Sequence, residues 1–257
     1  MRVFLYPRTA VWLFAVLSTV TVTSPAAQVT LSAVADTSLY ENHSDSNLGG
    51  TTLVAGTNQQ YSRSRALFRF DLSSLPPAAA ITQVQLTLHV TRRPDPDQHG
   101  GPVDSDFSLF RLLTGWGEGN GGDVTGSNAQ PGDATWNQRH FGSDSWGSPG
   151  GLIGTDYAEV PSATTSVGGI GAYAWGSSTE LVADAQSWLD DPASNFGFIL
   201  ISQTEGTAGT GRRFASREQP GGVIPAPQLE LTYSVPEPSS LALVAMGLLG
   251  LGWRRRV

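Results

Sequence analysis

The chain has 257 residues, enough for one large domain or two small ones. It contains no Cys, which excludes a disulfide framework and a thiol nucleophile, and no Lys, so all fifteen basic residues are Arg. Thirty Gly, sixteen Pro and only 14% charged residues suit short strands joined by turns and argue against a helical bundle.

In chain order the first element is an export leader. Arg2 and Arg8 form a basic region, and "AVWLFAVLSTVTV", Ala10 to Val22, is a short apolar core. "SPAA", Ser24 to Ala27, then offers small residues to signal peptidase. Cleavage after Ala26 puts Ser24 and Ala26 at the two small-residue positions. Residues 1–27 are read as a signal peptide; an uncleaved anchor is the alternative, but the apolar core is short for a span.

Residues 28–234 read as β-structure, with no linker and no internal repeat. In "ITQVQLTLHV", Val84, Leu86, Leu88 and Val90 share one face, while Gln83, Gln85, Thr87 and His89 share the other. This period-two alternation predicts a half-buried antiparallel strand. "PQLELTY" repeats it, with Leu229, Leu231 and Tyr233 opposite Gln228, Glu230 and Thr232. Further strands are predicted at "TLSAVA", "TLVAG", "RALFRFDL", "FSLFRLL", "FGFILIS" and "RRFASRE". In "RALFRFDL", Ala66, Phe68 and Phe70 point to the core. Arg65 and Arg69 take the opposite face, with Arg69 expected to meet a neighbouring strand's carboxylate. Asp71 ends this strand in an Asx-type turn. One helix is predicted in "STELVADAQSWLDD", capped by Ser178 or Thr179, with Leu181, Ala185, Trp188 and Leu189 on one side. Roughly nine strands and one helix make a two-sheet β-sandwich.

The aromatic residues divide by context. Trp136 and Trp188 sit beside apolar or β-branched residues and are read as core. Trp116, Trp146 and Trp175 sit beside glycines and are read as loop residues. Exposed there, they could stack on the apolar faces of sugar rings. Trp146 is the leading candidate, because "DSWGSPGG" sets it between a carboxylate and a pliable turn. The competing reading is that all three plug the loops onto the sandwich.

No catalytic residue is assigned. His43, His89, His99 and His140 are scattered without metal-ligand spacing, and there is no G-x-S-x-G or phosphate-binding glycine loop. A glycosidase needs two carboxylates across a cleft, which the fold must set. No cofactor is required; calcium is the one candidate. "DPDQHGGPVDSD" places Asp95, Asp97, His99, Gly100 and Asp106 near calcium-loop spacing, with Asp104 close by. Asp95, Asp97, Asp104 and Asp106 are thus candidate calcium ligands, against the alternative of a solvated hairpin loop. A second candidate joins Asp36, after the first strand, to Glu218, in the penultimate one.

The last element is the tail, residues 235–257. Val235, Pro236, Glu237 and Pro238 form an extended, accessible backbone that can join neither helix nor sheet. Leu241 to Trp253 follows as an apolar run, then Arg254, Arg255 and Arg256, which stay cytoplasmic as a stop. With the leader, this predicts transient inner-membrane anchoring with the body outside. The tail resembles the PEP-CTERM sorting signal: the Pro-Glu-Pro motif at Pro236–Pro238, an apolar helix and an Arg cluster. The resemblance implies recognition by an exosortase in a Gram-negative bacterium that makes exopolysaccharide. Between the two signals, residues 28–235 hold ten Arg against 21 acids, a net charge near −11. That argues against nucleic acid as a partner.

The body also carries a resemblance. "LVAGTNQQYSRSRALFRFDLSSLP", "ITQVQLTLHV", "GWGEG", "GDATWNQR", "WGSPGG", "FGFILISQ" and "FASRE" before "PQLELTY" look like the DNRLRE domain, related to disaggregatase repeats. The likeness covers most of residues 30–234 and departs from the family in expanded Gly/Ser-rich stretches near 115–133 and 142–172. It implies a jelly-roll β-sandwich in a secreted protein, and, since some members of this broad group bind alginate, a glycan role. The expected architecture is therefore all-β: an antiparallel two-sheet jelly roll with long Gly/Ser-rich loops, one short helix, and terminal signal and anchor helices. The expected function is that of an exosortase-sorted surface or matrix protein, a non-catalytic module that binds extracellular polysaccharide or is purely structural. The alternative is a small polysaccharide-degrading hydrolase or lyase.

Overall fold

The computed structural model describes residues 25–50, 53–97, 101–122, 125–219 and 224–236. The alternating apolar segments form ten main strands: β1 (Ala27–Tyr40), β2 (Leu53–Thr57), β3 (Arg63–Phe70), β4 (Ala80–Arg92), β5 (Ser105–Arg111), β6 (Ala163–Val167), β7 (Gly171–Trp175), β8 (Phe198–Ser202), β9 (Arg212–Phe214) and β10 (Gln228–Ser234). One α-helix, α1 (Thr179–Asp190), lies between β7 and β8. Every pairing among these strands is antiparallel. Among the described residues no helix is long and apolar enough to cross a membrane. The expected signal and anchor helices lie outside the described residues.

Two layers result. In one, β4 is flanked by β7 and by β10 and β9 along its length. In the other, the order runs β6–β5–β8–β3–β1. Two strands belong to both. β1 pairs with β10 up to Ser32, bulges between Ala33 and Ala35, and then pairs with β3. β2 pairs with β9 through Leu53–Ala55 and with β3 through Gly56 and Thr57. A bulge bends a strand and sharpens its twist, which is what a corner between sheets needs.

The core between the layers is built by the expected faces. Val84, Leu86, Leu88, Val90, Leu229 and Leu231 are buried here, with Phe68, Phe70, Phe107, Phe198 and Phe214. Helix α1 closes one end. Ser178 caps it, its hydroxyl accepting the Leu181 N–H at 3.0 Å, and Leu181, Ala185, Trp188 and Leu189 pack inward. Asp71 ends β3 as expected, with Oδ1 accepting the Ser73 N–H at 2.9 Å.

A second core lies on the other face of the β1–β3–β8–β5 layer. Ala35, Leu39, Leu67, Phe110, Ile199 and Ile201 meet Trp116, Trp136, Trp146 and Tyr157 from the long β5–β6 connection. Among the described residues that connection holds short ribbons, such as Gln138–His140 against Asp144–Ser145. Arg65 of β3 fastens it down. Arg65 donates to both oxygens of Glu205, at 2.9 and 2.7 Å, and to the Gly150 carbonyl at 2.9 Å. Its guanidinium also lies over the rings of Trp136 and Tyr157. The carboxylate expected for Arg69 thus goes to Arg65, which points into the covered face.

Two strands lie where the sequence predicts loop. β6 and β7 fall within or beside the expanded Gly/Ser-rich stretch. Their sequences, "ATTSV" and "GAYAW", alternate but carry small or polar residues and are separated by glycines, so the apolar signal is weak.

Candidate functional site

The structure changes the aromatic reading first. Trp116, Trp146 and Trp175 are not exposed platforms: they are 8%, 4% and 0% exposed. Each indole N–H donates to a backbone carbonyl, Trp116 to Phe196 at 2.8 Å, Trp146 to Thr135 at 2.9 Å and Trp175 to Phe107 at 2.7 Å. A buried tryptophan needs such an acceptor, and finding one completes its fit as a plug. Trp175 lies on β7, not in a loop.

The four aspartates between the end of β4 and the start of β5, a connection that crosses from one layer to the other, do not converge. Asp95 Oδ1 accepts the Asp97 N–H in a local turn. Asp104 lies 3.3 Å from the Arg212 guanidinium and is largely exposed. Asp106 is exposed on β5. His99 and Gly100 lie outside the described residues.

Three other carboxylates do meet. One oxygen each of Asp36, Glu118 and Glu218 lies within 4.8 Å of the others. Asp36 sits on β1 just past the bulge, paired with Phe68 of β3. Glu218 sits after β9, on the turn closed by the Gln219 N–H donating to the Ser216 carbonyl. The sequence pairs these two; Glu118, from the "GWGEGN" stretch, is the member it misses.

Glu118 is held by Asn47, which is fully buried. Asn47 Nδ2 donates to the carbonyls of Glu118 at 2.7 Å and Ala134 at 3.0 Å, while its Oδ1 accepts the N–H of Gly49 and Gly121 at 3.1 and 2.8 Å. A buried amide with all four bonds made fixes a loop firmly. The glycines around it are there for close approach. A Cβ at Gly117 would stand 1.9 Å from the Gly132 carbonyl oxygen. Gly117→Ala is therefore expected to cost about 1–3 kcal/mol, as overpacking does, read as a lower midpoint in urea unfolding.

The electrostatics of the cluster follow from burial. Asp36 is 1% exposed. Burial pushes its carboxyl up to about 8, against the lowering effect of the Arg217 backbone N–H, and the charges of Glu218 and Glu118 push the same way as burial. Burial also raises Glu218. Arg217 crosses the group: its backbone N–H donates to Asp36 Oδ2 at 2.8 Å, and its Nε lies 2.6 Å from Glu118 and 2.8 Å from Glu218. Glu118 Oε1 also accepts the Asp36 backbone N–H at 2.7 Å, next to the bulge in β1.

A groove of about 600 Å³ lies elsewhere, between the end of β3 and the C-terminal end of α1. Arg69, Asp71, Asp190 and Asn195 bring polar groups to it, beside Leu72 and Trp188.

The sorting tail begins where the fold ends. Val235 is half-buried, packed against the first core, and Pro236 is exposed. Glu237, Pro238, Arg254, Arg255 and Arg256 lie outside the described residues. A comparison with curated proteins finds no match. A comparison with protein families matches residues 234–256 to the PEP-CTERM protein-sorting motif. The chain is thus an exported protein sorted by an exosortase, bound for the surface or exterior of a Gram-negative cell.

Proposed function

We propose that the folded body is a non-catalytic module of the extracellular matrix, structural or glycan-binding, associated with exopolysaccharide. The observation that carries this reading is the sorting motif at residues 234–256, which follows directly on the last strand of a β-sandwich. The resemblance of residues 30–234 to the DNRLRE domain belongs to the same proposal. With the three tryptophans turned inward, the surface that suits a sugar is the groove at Arg69, Asp71, Asp190 and Asn195. Carboxylates, an amide and a guanidinium beside apolar side chains are the groups that hold sugar hydroxyls and ring faces.

Two experiments test this. Replacing Pro236, Glu237 and Pro238 with Ala should leave the chain unprocessed in the inner-membrane fraction. An altered chain that loses its tail and reaches the medium at the normal rate would contradict exosortase sorting. Separately, the body should co-sediment with the producing cell's exopolysaccharide without shortening it. Release of reducing or unsaturated sugar ends would instead mark it as a hydrolase or lyase.

A further inference from the structure

We propose that Asp36, Glu118 and Glu218 form a calcium site that ties β1, the long β5–β6 connection and the segment after β9 to one ion. Proximity of acids alone would not carry this, since acidic clusters are common. The independent observation is an unpartnered oxygen deep inside. Asp36 is 1% exposed and its Oδ1 has no hydrogen-bond partner. Glu218 Oε2 in the same group also has none, nor has the neighbouring Gln219 Oε1. A buried carboxylate oxygen without a donor is costly, and a cation is the standard remedy.

The chemistry selects the ion. The donors are all carboxylate oxygens, hard ligands that suit calcium or magnesium rather than zinc or copper. Two oxygens each about 2.3–2.6 Å from one calcium lie at most about 5.2 Å apart, whereas magnesium's ligands at about 2.0–2.1 Å span at most about 4.2 Å. Three carboxylate oxygens within 4.8 Å of one another suit the longer calcium distances, with the Arg217 side chain, now on Glu118 and Glu218, giving way to the ion. Charge agrees: three ionised carboxylates beside Arg217 leave two negative charges for a divalent ion to neutralise. The competing arrangement is a proton shared between Asp36 and Glu218, whose carboxyls face each other closely.

This inference does not depend on the glycan reading. It is tested on the full chain in mild detergent, first stripped with EDTA. With a dissociation constant in the range of extracellular modules, about 0.1–1 mM, about 10 mM CaCl2 should raise the melting temperature by roughly 3–10 °C, and MgCl2 should raise it less. Titration calorimetry with CaCl2 should show one site. Glu218→Gln and Asp36→Asn should keep the far-UV dichroism of the sandwich and lose the calcium shift. A wild-type chain whose melting temperature and heats are unmoved by CaCl2 overturns the proposal whatever the variants do. So does a Glu218→Gln chain that keeps the full shift, which would put the ion elsewhere, as at the β4–β5 connection.

Discussion

Phe68→Ala should lower the stability of the body by about 3–5 kcal/mol, because the site is fully enclosed and leaves a cavity when emptied. The ring is 0% exposed and packs 6.1 Å from the Phe70 ring and 6.2 Å from the Phe198 ring, centroid to centroid. Its strand, β3, pairs with β1 on one side and β8 on the other, so the backbone cannot shift to fill the gap. At roughly 2–4 °C per kcal/mol for a domain of this size, the melting temperature should drop by roughly 6–20 °C. A loss below about 1 kcal/mol would mean that β3 presents its other face to the core.

Trp146→Ala should be about as damaging, roughly 3–5 kcal/mol, but the damage should be local. The side chain belongs to the second core, and its indole N–H is the donor to the Thr135 carbonyl. Removing it empties the space under a connection that has little sheet of its own and takes that donor away from the carbonyl. Segments with few ladder bonds open below the global unfolding energy. Limited proteolysis should therefore cut the variant between residues 112 and 162 while the paired strands resist. A variant that melts normally and resists cleavage there would show that the second core contributes nothing.

These two residues also mark what the sequence reveals. Phe68 is legible because it sits in an alternating strand, where period two alone assigns a face. The β4 and β10 faces and the α1 stripe are legible because their periods are equally regular. Trp146 is not, because an aromatic between glycines has no period and its burial depends on a long connection folding back. The carboxylate site lies between these cases. Asp36 and Glu218 can be paired by reasoning about the ends of a sandwich. Glu118 requires knowing that "SNLGG" and "GWGEGN" interlock through Asn47, and nothing local encodes that contact.

The register between β1 and β10 has a consequence for timing. Ala27 pairs with Tyr233, so the first strand to leave the translocon is completed by the last. β10 also supplies the flank of β4 from Ala80 to Thr87. During N-terminus-first export, that layer stays open until almost the whole body has followed β1 across, a non-local closure of the slow kind. The sorting motif matched at residues 234–256 begins where β10 ends, so the layer closes only as the motif itself emerges. A chain truncated before Gln228 has no strand to insert between β1 and β4, and it also lacks the sorting motif. The strand that completes this layer and the address label are thus lost together in any fragment that stops before Gln228.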